Sequence, residues 1–221
     1  MSATADSLAT QTDAIKRGAA EHLPAEVAAV FSAEQAALDA AGVPDGVLAP
    51  GAAMPDGELL DVHGAPTSLA AVRDGRPAVV VLYRGAWCPY CNTTLRAYQS
   101  QLVQPLGRRG VALIAVSPQA PDGSLTAQET DQLTFEVVSD PGNQIAGALG
   151  VVFQPGADAV AAQRQLGLVV AERNADGTGA LPMPTVAIVD ADGMLRWIDV
   201  HADYTTRTEP AAILAAVETT L

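Results

Sequence analysis

Ten consecutive residues, YRGAWCPYCN from Tyr83 to Asn92, hold both cysteines of a 221-residue chain, and only Pro89 and Tyr90 separate them. A thiol pair at this spacing can close and open a disulfide, contribute to a metal site, or lie inert in a core. A metal site needs three or four ligands, and His22, His63 and His201 are scattered singly. No metal and no cofactor is therefore expected. Trp87 and Pro89, and a position between an apolar run and a helix, argue against an inert pair. As a crosslink the pair would close too short a loop to restrict the unfolded chain much. A hydrophobic fraction of 49% already provides for a core, so no disulfide framework is needed. The pair reads as a redox-active dithiol.

The elements that must position it follow from the flanking pattern. Ala78–Tyr83 is an apolar run of strand length, and the spacing predicts a helix from Cys88 to about Val103. Cys88 then stands at or just before the first helical turn, with Cys91 three residues on along the same face. Unpaired N–H groups and the positive end of the helix dipole favour thiolate there, most of all at the earlier, more exposed Cys88. Pro89 suits the first turn, where its missing N–H costs nothing. Arg84 adds a cation close by, and Trp87 and Tyr90 flank the sulfurs.

Around this unit, residues from Ser7 to about Ala41 read as two helical segments that break at Pro24. The stretch VPDGVLAPGAAMPDG (43–57) reads as a linker. Strands are expected at 58–64 with a turn, at Ala112–Ser117 and at Thr134–Ser139, and a hairpin over Thr185–Asp190 and Met194–Val200. Helices are expected at Asn143–Leu149, around Val160–Leu166 and at Pro210–Thr219, and a turn with a short helix at 121–130. Asp140 is read as a cap for the helix after it, and Asp190 and Asp192 as turn residues rather than catalytic ones. The alternation predicts an α/β fold, a mixed central sheet covered on both faces. The division is an N-terminal helical extension over 1–45 and one domain over 46–221. The extension is expected to pack on the body, a homodimer contact being its sharper alternative.

Net charge is −13, with 12 Lys and Arg against 25 Asp and Glu. Such a chain repels phosphate backbones and anionic lipid, so neither nucleic acid nor a membrane is an expected partner. No apolar stretch has spanning length, the first residues carry no apolar signal core, and the cytoplasm is the expected location. In a reducing compartment a C-x-x-C pair is catalytic far more often than structural.

Together the motifs resemble a family. W-C-P-Y-C between strand and helix resembles the thioredoxin-fold redox motif, in its glutaredoxin form. The wider frame is similar to the alkyl hydroperoxide reductase/thiol-specific antioxidant group of peroxiredoxin-like proteins. PGAAMPDGELLDVHGAPTSLA, RPAVVVLYRGAWCPYCNTTLRAY, VALIAVSPQ, FEVVSDPGNQIAGALGV and PTVAIVDADGMLRW carry it, across roughly residues 46–217. The resemblance implies a thioredoxin-like fold with peroxiredoxin-type insertions. It also implies reduction of hydrogen peroxide or alkyl hydroperoxides, with recycling by thioredoxin or a similar dithiol. The chain departs from the usual Pro-x-x-x-Thr-x-x-Cys, which here reads Arg84-x-x-x-Cys88-x-x-Cys91. The family arginine before the penultimate strand is absent, and Arg207, in DYTTRTEP (203–210), is the candidate substitute. Met183-Pro184-Thr185 resembles the thioredoxin pattern in which a cis proline faces the dithiol.

The frame nominates Cys91 as the peroxide-attacking sulfur, while the helix start nominates Cys88. Cys88 is the expected attacking thiol in disulfide exchange, and towards peroxide the two sulfurs stand nearly even, with Cys91 slightly behind. Two functions besides the peroxidase remain: a thiol–disulfide oxidoreductase acting on proteins or glutathione, and a non-enzymatic redox sensor.

Overall fold

The computed structural model describes residues 7–121 and 132–221. Beyond Pro121, the turn and helix expected at 121–130 lie outside the described residues.

Among the described residues the main sheet has seven strands, in the order β2-β1-β5-β4-β3-β8-β9. They are β1 (Leu59–Leu60), β2 (Pro66–Thr67), β3 (Ala78–Leu82), β4 (Ala112–Ser117), β5 (Glu136–Ser139), β8 (Thr185–Val189) and β9 (Leu195–Val200). β3 lies near the centre, parallel to β4 and antiparallel to β8. Its AVVVL run is buried at every position, the pattern of a strand covered on both faces. The period of two divides it cleanly. Val79 and Val81 join one core with Leu95, Tyr98, Ile213 and Val217. Ala78, Val80 and Leu82 join the other with Leu69, Ile145, Leu149 and Leu181.

The first face is covered by α4 (Pro89–Gln101), α9 (Pro210–Thr220) and α1 (Leu8–His22), and the second by α3 (Leu69–Arg73) and α6 (Gln144–Leu149). The mixed sheet with helical covers is as expected. α2 (Ala25–Ala41) packs against α7 (Ala157–Gln165). The N-terminal helices therefore lie on the body. Leu8 is fully buried in the first core, and the Glu209 carboxylate accepts from Leu8 N (3.0 Å) and Ala9 N (2.8 Å), capping α1 from outside.

Several elements differ from expectation. The stretch 43–57 is stitched down rather than loose: Gly51 N donates to Leu195 O (2.8 Å), Met54 N to Gly193 O (2.8 Å) and Leu48 N to Leu149 O (3.0 Å). The helix at the dithiol ends at Gln101 and a separate α5 (Val103–Arg108) follows. α3, α8 (Val170–Arg173), and the small sheet of β6 (Val152–Phe153) with β7 (Leu181–Pro182) were not expected. Each is five residues or fewer, too short for periodicity to register.

No described peptide bond is cis, so the expectation for Pro184 is corrected: it is trans. The chain here runs extended from β7 into β8 without reversing. Met183 N donates to Val151 O (2.7 Å), and Pro184 O accepts from His201 N (2.9 Å). A cis bond belongs to a tight turn, and none exists at this point.

Among the described residues no helix is long and apolar enough to cross a membrane.

Candidate active site

The dithiol sits where β3 ends and α4 begins. Cys88 is the N-cap, extended and without a side-chain cap hydrogen bond, and Pro89 occupies the first turn. The loop before it is tightly held: Cys88 N donates to Gly85 O (3.1 Å), Asn92 Nδ2 to Ala86 O (2.8 Å), and Ala86 N to Gln119 Oε1 (2.6 Å). Gly85 has φ +141, and a Cβ there would stand 2.5 Å from Trp87 Nε1 and 2.7 Å from Gln119 Oε1. Only glycine fits. Gln119 carries no signal in the sequence, because its role depends on the end of β4 lying beside this loop.

Both cysteines are free and each is only 1% exposed. The greater exposure expected of Cys88 is not found, since Trp87, Tyr90 and the aromatic residues below cover the helix start. Three groups converge on Cys91 Sγ. Arg207 Nη2 lies at 3.3 Å, and the Cys88 thiol and the Arg84 backbone N–H also donate to it. Burial raises the Cys91 pKa. Against it act the Cys88 hydrogen bond, the Arg207 charge, the Arg84 N–H and the Arg84 charge, and these prevail, holding Cys91 well below the usual thiol range. Cys88 moves the opposite way. Its hydrogen bond to Cys91 holds its proton, and burial and the Cys91 charge reinforce the rise. The two shifts run in opposite directions, with the lowered one on Cys91.

Arg84 and Arg207 reach the pair from different parts of the chain. Arg84 is 5% exposed, with its guanidinium carbon 4.5 Å from the Tyr204 ring centre, 5.0 Å from Trp87 and 5.9 Å from Phe153. It makes no salt bridge among the described residues, and its Nε is buried without a partner. Three ring faces stabilise a cation that lacks a carboxylate. Arg207 lies in the loop between β9 and α9, where its Nη1 donates to Tyr204 O and Thr206 O, both at 2.6 Å. The loop thus holds the fork while the other nitrogen meets the sulfur. Phe153 and Tyr204 belong to this arrangement too; single aromatic residues so far from the dithiol in sequence gave no sign of it.

A cavity of about 10 Å³ lies beside Cys91, lined also by Pro184, Thr185, His201, Arg207 and Thr208. It offers room for about one water molecule. Pro184 therefore does face the site, in the trans form. Of the residues picked out in the sequence, Arg84, Trp87, Pro184 and Arg207 all gather round the two cysteines. No group of three His, Cys, Asp or Glu side chains among the described residues is placed to hold a metal.

The sequence pattern of the AhpC/TSA family matches residues 50–198, which takes in the sheet and the dithiol. The chain belongs to the AhpC/TSA family. A protein of Mycobacterium tuberculosis named "Putative peroxiredoxin Rv2521" is 31% identical over 103 residues, 47% of this chain and 64% of the relative. The likeness thus reaches less than two thirds of that relative's length. Among solved structures, the Vibrio vulnificus protein Prx3, reduced and in complex with hydrogen peroxide, superposes with a TM-score of 0.62 at 19% identity. The overlay covers 77% of this chain and 99% of that one. The peroxidoxin BcpB of M. tuberculosis gives 0.58 at 17% identity, over 78% and 97%. At such identities these two establish the shared fold.

Proposed function

We propose that the protein is a thiol-dependent peroxidase in which Cys91 attacks the peroxide and Cys88 resolves the product. The Cys91 thiolate attacks the O–O bond of ROOH, giving Cys91 sulfenic acid and RO⁻, which takes a proton from water to leave as ROH. The Cys88 thiol then condenses with the sulfenic acid, forming the Cys88–Cys91 disulfide and releasing water. An external dithiol, thioredoxin or a similar reductant, restores both thiols by exchange.

The observation that carries this reading is the set of donors converging on Cys91 Sγ. Cys88 stands where the family pattern has threonine, and supplies the same kind of donor. Arg207 acts in place of the missing family arginine. The reading reverses the preference for Cys88 drawn from the helix start. Both cations act on Cys88 as well, but Arg207 meets Cys91 directly and the hydrogen bond between the sulfurs favours charge on Cys91.

Disulfide exchange with proteins or glutathione is the second reading, favoured by the W-C-P-Y-C sequence at a helix N-cap. That reading takes Cys88 as the attacking thiol, whereas the donors gather on Cys91, which weighs against it. Peroxide consumption coupled to thioredoxin and its reductase, run beside insulin-disulfide reduction, separates the two. The expected result is peroxide turnover that Cys91→Ser abolishes, with weak insulin reduction. Fast insulin reduction without peroxide turnover would establish the second reading. Neither activity, with a reversible disulfide still forming, would leave a redox-responsive module.

A further inference from the structure

Beside the sulfurs, and outside the dithiol motif, lies a polar cluster built on His201. Its Nδ1 is 2.7 Å from Thr206 Oγ1, and its Nε2 is 3.2 Å from Asp199 Oδ2 and 3.3 Å from Thr208 Oγ1. Thr206 and Thr208 are the two residues on either side of Arg207. The Thr206 hydroxyl also reaches Asp203 O (2.9 Å), and the Thr208 hydroxyl donates to Asp199 Oδ2 (2.8 Å). The imidazole thus joins both threonines and the Asp199 carboxylate in one network. The His201 hydrogen bond also heads the causes that hold Asp199 below the usual carboxylate range.

We propose that His201 is a positioning residue for the peroxidatic site: its two ring nitrogens clasp Thr206 and Thr208, and so hold the Arg207 guanidinium on Cys91 Sγ. This rests on the reading of Cys91 as the attacking thiolate. Arg207 is a long side chain on a loop, with many rotamers to lose, and it meets the sulfur only if its backbone stays in place. The other side of the loop is tied to the core, since Tyr98 of α4 donates its hydroxyl to Thr208 O (2.7 Å). The charged and titratable groups around the clasp are Asp199 on β9, Asp203 and Arg207 in the loop, Tyr98 on α4 and Glu209 at the start of α9. His201 and Arg207 line the same small cavity as Cys91.

The test is the pH profile of Cys91 alkylation by iodoacetamide, resolved from Cys88 by peptide mass spectrometry, in fully reduced protein. Wild type is compared with His201→Ala, Thr206→Val, Arg207→Met and the His201→Ala/Arg207→Met pair. Thr206 is exposed, so its variant keeps the test open if the histidine variant folds poorly. Loss of a close cation moves a thiol by about one pH unit or more, so Arg207→Met should move the midpoint of the Cys91 reactivity profile upward by about that much, a roughly tenfold loss at pH values below both midpoints. His201→Ala and Thr206→Val should move the profile the same way, and the double variant no further than Arg207→Met alone, because both act through one guanidinium. A profile unchanged in His201→Ala and Thr206→Val, while Arg207→Met shifts it, would overturn the clasp and leave the peroxidase reading standing. Additive shifts in the double variant would overturn it also, showing a histidine that acts directly on the sulfur. No shift in Arg207→Met would reject the thiolate reading itself, and the clasp with it.

Discussion

In the proposed cycle a single exchange of residue type, cysteine where the family pattern has threonine, gives position 88 two tasks. Before reaction the Cys88 thiol would donate to the Cys91 thiolate, and afterwards its sulfur would be the partner for condensation. The two tasks separate by substitution. Serine keeps a donor of nearly the same size but cannot form the disulfide, whereas alanine can do neither. Cys88→Ser is expected to form Cys91 sulfenic acid with one equivalent of peroxide at close to the wild-type rate, and then to stop. Cys88→Ala should also stop there, and should reach the sulfenic acid more slowly by a factor of roughly ten, the worth of one hydrogen bond to a charged group. Stopped-flow peroxide consumption with a sulfenic-acid probe distinguishes the two variants. Equal first-step rates would mean that Cys88 contributes nothing to the thiolate, and that Arg207 and the Arg84 N–H suffice.

Elements, rather than residues, decide how far such a site can be read in advance. β3, β4 and the β8–β9 hairpin were legible because runs such as AVVVL and ALIAVS are buried on both faces and end in clear turn residues. The dithiol was legible because its spacing is local. Arg207 could be named from its motif, but its contact with Cys91 spans 116 residues and depends on a loop closing over the start of α4. His201 looked like any single histidine until β9 and that loop brought two threonines to its ring. The same holds at α1, whose N-terminus is capped by Glu209, a residue that also starts α9. No local pattern signals that bond. Glu209→Ala should leave two N–H groups of α1 without a partner and lower stability by about 1 kcal/mol in urea unfolding. Glu209→Gln, which keeps an acceptor oxygen, should lose less. An undiminished unfolding midpoint in both would show that water replaces the carboxylate at no cost.

For the whole molecule, the paired cysteines tie folding to pH in a way that a single thiol would not. Cys91 is depressed in the folded state, so its contribution to stability is complete above the unfolded thiol value, about 8.5, and is lost as pH falls through its folded value. Cys88 is raised, so its contribution is complete below about 8.5 and is lost as pH climbs towards its folded value. The two slopes have opposite signs and meet at the unfolded thiol range. The stability of reduced wild type, minus that of Cys88→Ser/Cys91→Ser measured in parallel, should therefore rise with pH, peak near pH 8.5 and fall beyond it. Each limb is limited to about 1.4 kcal/mol per pH unit, the slope of one proton. Subtracting the double variant cancels Asp199 and the other carboxylates, which titrate in both proteins. Urea unfolding under strict reduction, from about pH 5 to about pH 10, supplies the curve. A difference that only falls with pH would place the raised value on both sulfurs. In that case the thiolate needed for peroxide attack would be absent from the resting protein at neutral pH.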